Sequence, residues 1–169
     1  MLTKIISVAF LLLMSNCLQS QHNTSTVVLN ETINKEVKVN RTEVIAYAKN
    51  FLDTTYRYAG NDPEKGFDCS GFVYFVFQHF NVDLPRGSGE YLFLGTPLKP
   101  EEFKVGDVLV FYGYLDNANI GHVGIISEAD GMNSKFIHAT SGKTYSVTTS
   151  DLSSEMYTRR FYKCIDVLN

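Results

Sequence analysis

The sequence predicts an α+β domain in which helices near its start pack on an antiparallel sheet formed by later strands. Two observations predict this class. Apolar residues recur at helical spacing over the first half of the domain. After residue 106, short runs of β-branched and aromatic residues alternate with segments rich in Gly, Asn and Asp. Helices followed by a cluster of strands are typical of α+β folds.

The composition fits one globular domain. The chain has 169 residues, of which 44% are hydrophobic and 20% are charged, close to globular norms. A formal net charge of −3 gives no strong positive field for a phosphate backbone, so we expect no nucleic-acid partner. We expect a monomer that uses no metal or organic cofactor.

The first residues are predicted to be a targeting segment, residues 1–20. Lys4 precedes an apolar run from Ile5 to Met14, and small or polar residues follow, as in secretory signals. Cleavage after Ser20 is one processing route. In the other, Cys17 is lipidated as in bacterial lipoproteins and attaches the chain to a membrane. Both routes export the protein to the periplasm or cell envelope, whereas a buried N-terminal helix is the alternative to a signal.

Residues 21–40 are polar and are predicted to form a linker to a domain over residues 41–169. A first helix is expected after a Thr42 cap, with apolar residues at 44, 45, 48, 51 and 52. A second is expected near Cys69, because the apolar residues at 69, 72, 73, 76 and 80 share one helical face. A short third helix is expected over 88–94.

The later apolar runs predict strands over 108–112, 122–126, 135–139, 145–149 and 159–165. His122 shares a strand face with Gly124 and Ile126, and His138 shares one with Phe136. If these two strands are neighbours, both imidazoles project from one face of the sheet toward the N-terminus of the Cys69 helix.

Cys69 is the candidate nucleophile. The start of a helix stabilises a thiolate, and its free backbone amides can stabilise an oxyanion. His122 is then the candidate base, and His138 the polar group that orients it. The same residues could be a packed thiol and two hydrogen-bonded histidines. They could also bind zinc, although no short metal-ligand spacing such as Cys-x-x-Cys is present.

Several motifs occur in an order that resembles the NlpC family of bacterial cell-wall cysteine endopeptidases, in its small single-domain form. The resemblance covers about residues 42 to 164. The motifs that carry it are Tyr56-Arg-Tyr-Ala-Gly60, Gly66-Phe-Asp-Cys-Ser-Gly-Phe72, Leu84-Pro-Arg86, Gly106-Asp-Val-Leu-Val-Phe111, Gly121-His-Val-Gly-Ile125 and Phe136-Ile-His-Ala139.

The resemblance implies a papain-like fold with Cys69 as nucleophile, His122 as general base and His138 as the third polar residue. It also implies that Tyr56 lies near the oxyanion and the substrate. The family cleaves stem peptides of peptidoglycan, often at γ-D-glutamyl–diaminopimelate bonds or at diaminopimelate–D-alanine cross-links.

Asp68, Ser70 and Arg86 have two interpretations each. By the resemblance, Asp68 and Ser70 contact substrate, typically a free amine. Their structural alternative is helix capping, and for Arg86 the alternative to substrate contact is a structural salt bridge. Two other functions also remain open at this point. One is a non-catalytic cell-wall binding module, and the other is a secreted amidase or toxin acting on a different amide.

Overall fold

The computed structural model describes residues 38–115 and 118–169. The predicted signal segment, Cys17 and most of the predicted linker lie outside these residues. Lys38–Asn169 forms one compact unit. Within the described ranges, no helix has the length and apolar character needed to cross a membrane.

Three helices and seven strands make up this unit, together with two 3-10 helices at Ser88–Leu92 and Pro100–Glu102. In chain order they are α1 (Arg41–Lys49), β1 (Asn61–Asp62), β2 (Gly66–Phe67), α2 (Cys69–His79), β3 (Val108–Tyr112), β4 (Ile120–Glu128), β5 (Lys135–Ala139), β6 (Val147–Asp151), α3 (Glu155–Arg160) and β7 (Phe161–Ile165).

Five of the strands form one sheet in the order β6-β5-β4-β3-β7, and every neighbouring pair is antiparallel. The short strands β1 and β2 pair separately. The predicted α+β class, with helices packed on an antiparallel sheet, is confirmed.

The two faces of the sheet bury different side chains. On one face, Val110, Val123 and Ile137 pack with apolar residues of α1 and α2. On the other face, Phe111 and Phe136 pack with Tyr157 of α3. Because side chains alternate along a strand, each strand contributes to both cores.

The start of the first helix differs from its prediction. Asn40, not Thr42, is the N-cap of α1, and its Oδ1 accepts hydrogen bonds from the Thr42 backbone N–H (3.0 Å) and hydroxyl (2.7 Å). Asn and Thr both favour the N-cap position, and the helix begins after the earlier of the two residues. Helix α1 ends at Lys49, so Phe51 and Leu52 follow it in turns.

The end of the chain differs as well. Residues 159 and 160, predicted as strand, belong to helix α3, and β7 begins at Phe161. Tyr157 and Arg160 lie three residues apart in this helix and are both buried. Strand β6 begins at Val147, later than predicted, because Tyr145 takes a left-handed φ of 50° that a strand cannot contain.

Candidate active site

Cys69 is the first residue of α2, and the local sequence explains why the helix begins there. Asp68 is extended and its Oδ1 accepts the Gly71 backbone N–H at 2.6 Å, which caps the helix. A side chain at Gly71 would bring Cβ within 2.0 Å of the Gly60 carbonyl oxygen. The absence of that side chain lets the first turn of α2 pack directly on the preceding loop.

The Cys69 thiol is buried against the beginning of β4. Its Sγ lies 4.0 Å from the Gly121 carbonyl oxygen. Burial raises the pKa of the thiol, and the Asp68 carboxylate raises it further. Backbone N–H groups of Val123, Ser70 and Cys69 itself oppose this increase in pKa. Cys69 therefore contacts the two residues that flank His122 in the chain.

The two histidines meet through their ring nitrogens. His122 on β4 and His138 on the neighbouring strand β5 project from one sheet face, and His122 Nε2 lies 2.8 Å from His138 Nδ1. Gly124 lies beside them, where a Cβ would approach a Phe136 ring carbon to 2.6 Å and the His138 Cβ to 3.1 Å. A glycine at this position leaves the space that the Phe136 ring and the His138 Cβ occupy.

The shared face is not the one against which α2 packs. Both imidazoles contact aromatic rings of the α3 side, Phe111 beside His122 and Phe136 beside His138. Cys69 nevertheless lies near His122, because α2 begins beside the first residues of β4 and the two side chains line one cavity.

His138 is held from its other side by two hydroxyl groups. Its Nε2 lies 3.0 Å from Ser150 Oγ on β6 and 3.4 Å from the Tyr157 hydroxyl on α3. The three neighbouring strands β4, β5 and β6 thus supply His122, His138 and Ser150 in turn. This series fixes both rings in position.

The environment favours neutral imidazoles. Burial lowers the pKa of His122 well below its ordinary value, and His138 and the Arg160 cation lower it further. Burial, with a smaller effect of Arg160, lowers the pKa of His138 to about 3. Each ring therefore carries one proton near neutral pH and can donate one hydrogen bond while accepting another.

Two cavities meet at Cys69, and Tyr56, Cys69 and Gly121 line both of them. The larger, of about 310 Å³, also contains His122 and Arg160. We call it the histidine cavity, and its remaining lining residues are Tyr114, Thr140, Ser141, Gly142, Met156 and Tyr157.

The smaller cavity, of about 250 Å³, is lined by Asp68, Ser70 and Arg86 among others, and we call it the aspartate cavity. All seven residues singled out from the sequence therefore lie close together, although His138 is buried behind His122.

Asp68 and Arg86 have a structural role in addition to their place in the aspartate cavity. Arg86 Nη1 and Nη2 each lie 2.9 Å from one oxygen of Asp68, and Nη2 also donates to the Gly60 carbonyl oxygen at 3.1 Å. The Ser70 hydroxyl lies 3.3 Å from Asp68 Oδ1. The capping and salt-bridge interpretations thus hold for Asp68 and Arg86 without removing either from the cavity wall.

Tyr56 stands between the cavities. Its ring packs edge-on against Tyr145, with centroids 5.4 Å apart. Burial raises the pKa of the Tyr56 hydroxyl, as do Cys69 and Asp68, while a hydrogen bond with Ser141 opposes the rise. The group is therefore a neutral hydrogen-bond donor at the edge of the site.

Sequence patterns did not identify three residues of the site, namely Ser150, Tyr157 and Arg160. Tyr157 and Arg160 belong to α3. The last two residues of this helix were predicted as strand, and no element was predicted for the others. The spacing of Tyr157 and Arg160 after Ser154-Glu155 was an available helix signal. Among the described residues, no three His, Cys, Asp or Glu side chains form a group that could hold a metal ion.

Known proteins resemble this chain in sequence and in fold. Residues 53–166 match the model of the NlpC/P60 family. The chain is 32% identical over 114 residues to the gamma-DL-glutamyl hydrolase of Bacillus subtilis, a match that covers 66% of this chain and 26% of that protein. It is 35% identical over 111 residues to the probable endopeptidase NlpC of Escherichia coli, a match that covers 65% of this chain and 67% of that protein.

A solved structure of an NlpC/P60 family protein from Bacillus cereus superposes with a TM-score of 0.69 at 26% identity, covering 78% of this chain and 41% of that one. The chain thus spans about a quarter of the length of the Bacillus subtilis relative and two thirds of the Escherichia coli one. The family match covers most of the described residues and includes Cys69, His122 and His138. The chain belongs to the NlpC/P60 family.

Proposed function

We propose that this protein is a cysteine endopeptidase that hydrolyses amide bonds in the stem peptides of peptidoglycan. One observation carries the proposal. His122 Nε2 lies 2.8 Å from His138 Nδ1, and the His122 ring shares a cavity with a buried cysteine at a helix N-terminus. A nucleophile, a base and a group that orients the base are what thiol-based acyl transfer needs.

The proposal assigns the role of base to Nδ1 of His122. In the tautomers that this role requires, His138 donates from Nε2 to Ser150 Oγ at 3.0 Å and accepts at Nδ1 from the Nε2–H of His122 at 2.8 Å. This arrangement leaves the lone pair of His122 on Nδ1, available to the Cys69 thiol. A neutral thiol and a neutral imidazole are also the forms that burial favours here.

The first half of the reaction forms an acyl-enzyme. His122 Nδ1 takes the thiol proton while Cys69 Sγ attacks the carbonyl carbon of the scissile amide. The backbone N–H of Cys69 and the Tyr56 hydroxyl donate to the oxyanion that develops. His122 then returns the proton to the leaving amine, and the carbon–nitrogen bond breaks.

The second half consumes water. His122 takes a proton from a water molecule that attacks the thioester carbon, and the Cys69 thiolate leaves and recovers its proton from His122. The new carboxylate departs with the acyl half of the substrate. His138 stays neutral throughout and stabilises the imidazolium that forms transiently on His122.

The aspartate cavity suits the acyl half of a stem peptide. The Asp68 oxygen Oδ2 accepts one hydrogen bond among the described residues, that from Arg86, so it can accept another from a substrate amine. The Ser70 hydroxyl lies on the same wall. The names of the two relatives, a gamma-DL-glutamyl hydrolase and a probable endopeptidase, support a peptide substrate of this class.

A peptidoglycan substrate agrees with export to the periplasm or cell envelope, as expected from residues 1–20. We propose that the chain is exported by one of two routes, either lipidation of Cys17, which anchors the enzyme to a membrane, or cleavage after Ser20. The mature N-terminal residue, read by mass spectrometry, separates the two: it is lipidated Cys17 in one and Gln21 in the other. A monomer is expected and is measured by light scattering.

The test of the function is digestion of purified muropeptides, with products identified by mass spectrometry. The proposal expects cleavage within the stem peptide and its loss after iodoacetamide treatment. The product masses identify the bond. Binding of muropeptides without cleavage, unchanged by iodoacetamide treatment, would instead establish a non-catalytic wall-binding module. Release of the intact stem from the sugar would establish an amidase.

A further inference from the structure

Arg160 is unusual among the residues of the histidine cavity. It ends α3 and is only 7% exposed, although arginine side chains are normally found at the surface. It lines the histidine cavity together with Cys69 and His122. A cation has thus been buried beside the candidate nucleophile and base.

The guanidinium has little to compensate its charge. Its Nε donates to the Tyr112 carbonyl oxygen at 2.9 Å, and its Cζ lies 5.7 Å from the centre of the exposed Tyr114 ring. No carboxylate among residues 38–115 and 118–169 forms an ion pair with it. Arginine remains charged in proteins, and a buried cation without an anion costs free energy.

Arg86 has the carboxylate partner that Arg160 lacks among the described residues. Arg86 lies in the aspartate cavity and has both terminal nitrogens on the Asp68 carboxylate. Arg160 has a comparable place in the histidine cavity, but its terminal nitrogens make no hydrogen bond to a described residue. The two terminal nitrogens of Arg160 are therefore available to a ligand that enters the cavity.

The position of His122 indicates which half of the substrate each cavity holds. Under the proposed mechanism His122 protonates the leaving amine, so that amine must lie next to its ring. His122 lines the histidine cavity and not the aspartate cavity. The histidine cavity therefore receives the part of the substrate that leaves with the amine.

We propose that Arg160 binds a carboxylate on the leaving half of the substrate and thereby selects peptides that carry an acid at that place. The proposal rests on the proposed function, since it uses the direction that His122 gives to the cavities. A planar guanidinium binds a carboxylate through two parallel hydrogen bonds, which an uncharged amide cannot match. The ligand is thus an amino acid or short peptide with a free carboxylate close to the amine released by cleavage.

A bound carboxylate would also act on the histidines. The Arg160 cation lowers the pKa of both His122 and His138. An anion on the guanidinium offsets that effect, so His122 becomes a stronger base when the acidic substrate is in place.

The experiment uses two synthetic peptides based on the stem that the wild-type protein cleaves. They differ only in the carboxylate nearest the released amine, which is free in one and a carboxamide in the other. For the wild type, kcat/KM should favour the acid by about tenfold or more, as for the loss of a charged hydrogen-bond pair. In Arg160→Gln this preference should fall to about onefold.

Arg159→Gln is the matched control, because it removes the same charge from the neighbouring, exposed residue. It should keep the wild-type preference for the acid. A merely structural role of Arg160 would lower kcat/KM for both peptides equally and keep their ratio. That result, or a wild type that cleaves both peptides equally well, would overturn the proposal.

A binding measurement separates this proposal from the proposed function. If the wild type cleaves no muropeptide, the peptide L-Ala-γ-D-Glu-diaminopimelate and its amide are titrated calorimetrically into the Cys69→Ala protein. Tighter binding of the acid, lost in Cys69→Ala/Arg160→Gln, would support the Arg160 site without the chemistry. Equal affinities, or a preference that survives loss of Arg160, would refute it.

Discussion

His122 Nε2 and His138 Nδ1 lie 2.8 Å apart with their rings nearly perpendicular, at an interplanar angle of 89°. This edge-to-face arrangement aims a nitrogen of each ring at the other. Gly124 lies beside the pair, and the absence of a side chain there leaves room for the Phe136 ring and the His138 Cβ. The packing around His138, the residue expected to orient the base, thus depends on a residue that has no side chain.

Substitution of Gly124 by alanine tests this dependence. The new Cβ would lie 2.6 Å from a Phe136 ring carbon, so the strand or the ring must shift. We expect unfolding in urea to show a loss of about 1–3 kcal/mol, typical of overpacking, together with reduced kcat. Gly89→Ala is the control, because no atom lies within 4 Å of its added Cβ. Equal stability of the two variants would contradict the account.

Removal of the His138 ring tests its positioning role. His138→Ala leaves His122 without its partner at Nε2, and we expect kcat to fall about 100-fold with little change in KM. His138→Asn offers an amide oxygen as acceptor and should recover part of the loss. Ser150→Ala, one step further out, should cost about tenfold or less. A fall in kcat/KM through KM alone would instead place His138 in substrate binding.

The buried histidines should also make the fold sensitive to acid. The unfolded chain binds a proton at His138 below its ordinary pKa of 6.5, while the folded protein resists protonation until about pH 3. Stability from this group is therefore complete above 6.5 and decreases as the pH falls toward 3.

Denaturant unfolding of wild type and His138→Gln between about pH 7 and about pH 5 measures this effect. The wild type should lose about 2 kcal/mol more than the variant over that range. Parallel losses in the two proteins would show that His138 does not titrate as described.

The pH dependence of thiol alkylation tests the protonation state of the candidate nucleophile. Burial and Asp68 raise the pKa of the Cys69 thiol, so the reactive thiolate is scarce near neutrality. Its rate of reaction with iodoacetamide should rise about tenfold per pH unit through neutral pH. Reaction of the Cys69→Ala protein gives the background from the other cysteines. A rate that is already constant in mild acid would indicate a preformed thiolate–imidazolium pair.

The sequence predicted the parts of the site that local patterns determine. The helical spacing after Cys69 placed the candidate nucleophile at a helix start, where the structure has it. Strand alternation placed His122 and His138 on one face, and the structure confirms that their strands are neighbours. These features depend on residues close together in the chain, which is why they can be read from it.

Contacts that depend on the order of strands in the sheet could not be predicted from the sequence. Ser150 reaches His138 only because β6 pairs with β5, and that pairing does not follow from residue types. Tyr157 and Arg160 were missed because α3 spans only six residues before the chain turns directly into β7. In so short a segment, burial of these two side chains outweighs local propensity.

The central claim is that Cys69 is the nucleophile for cleavage of a stem peptide. The most direct measurement compares the wild type with Cys69→Ala on the same muropeptides, with products identified by mass spectrometry and folding checked by circular dichroism. The account predicts a cleaved stem with the wild type, none with Cys69→Ala, and identical spectra for the two proteins. Cleavage at an undiminished rate by folded Cys69→Ala would contradict it.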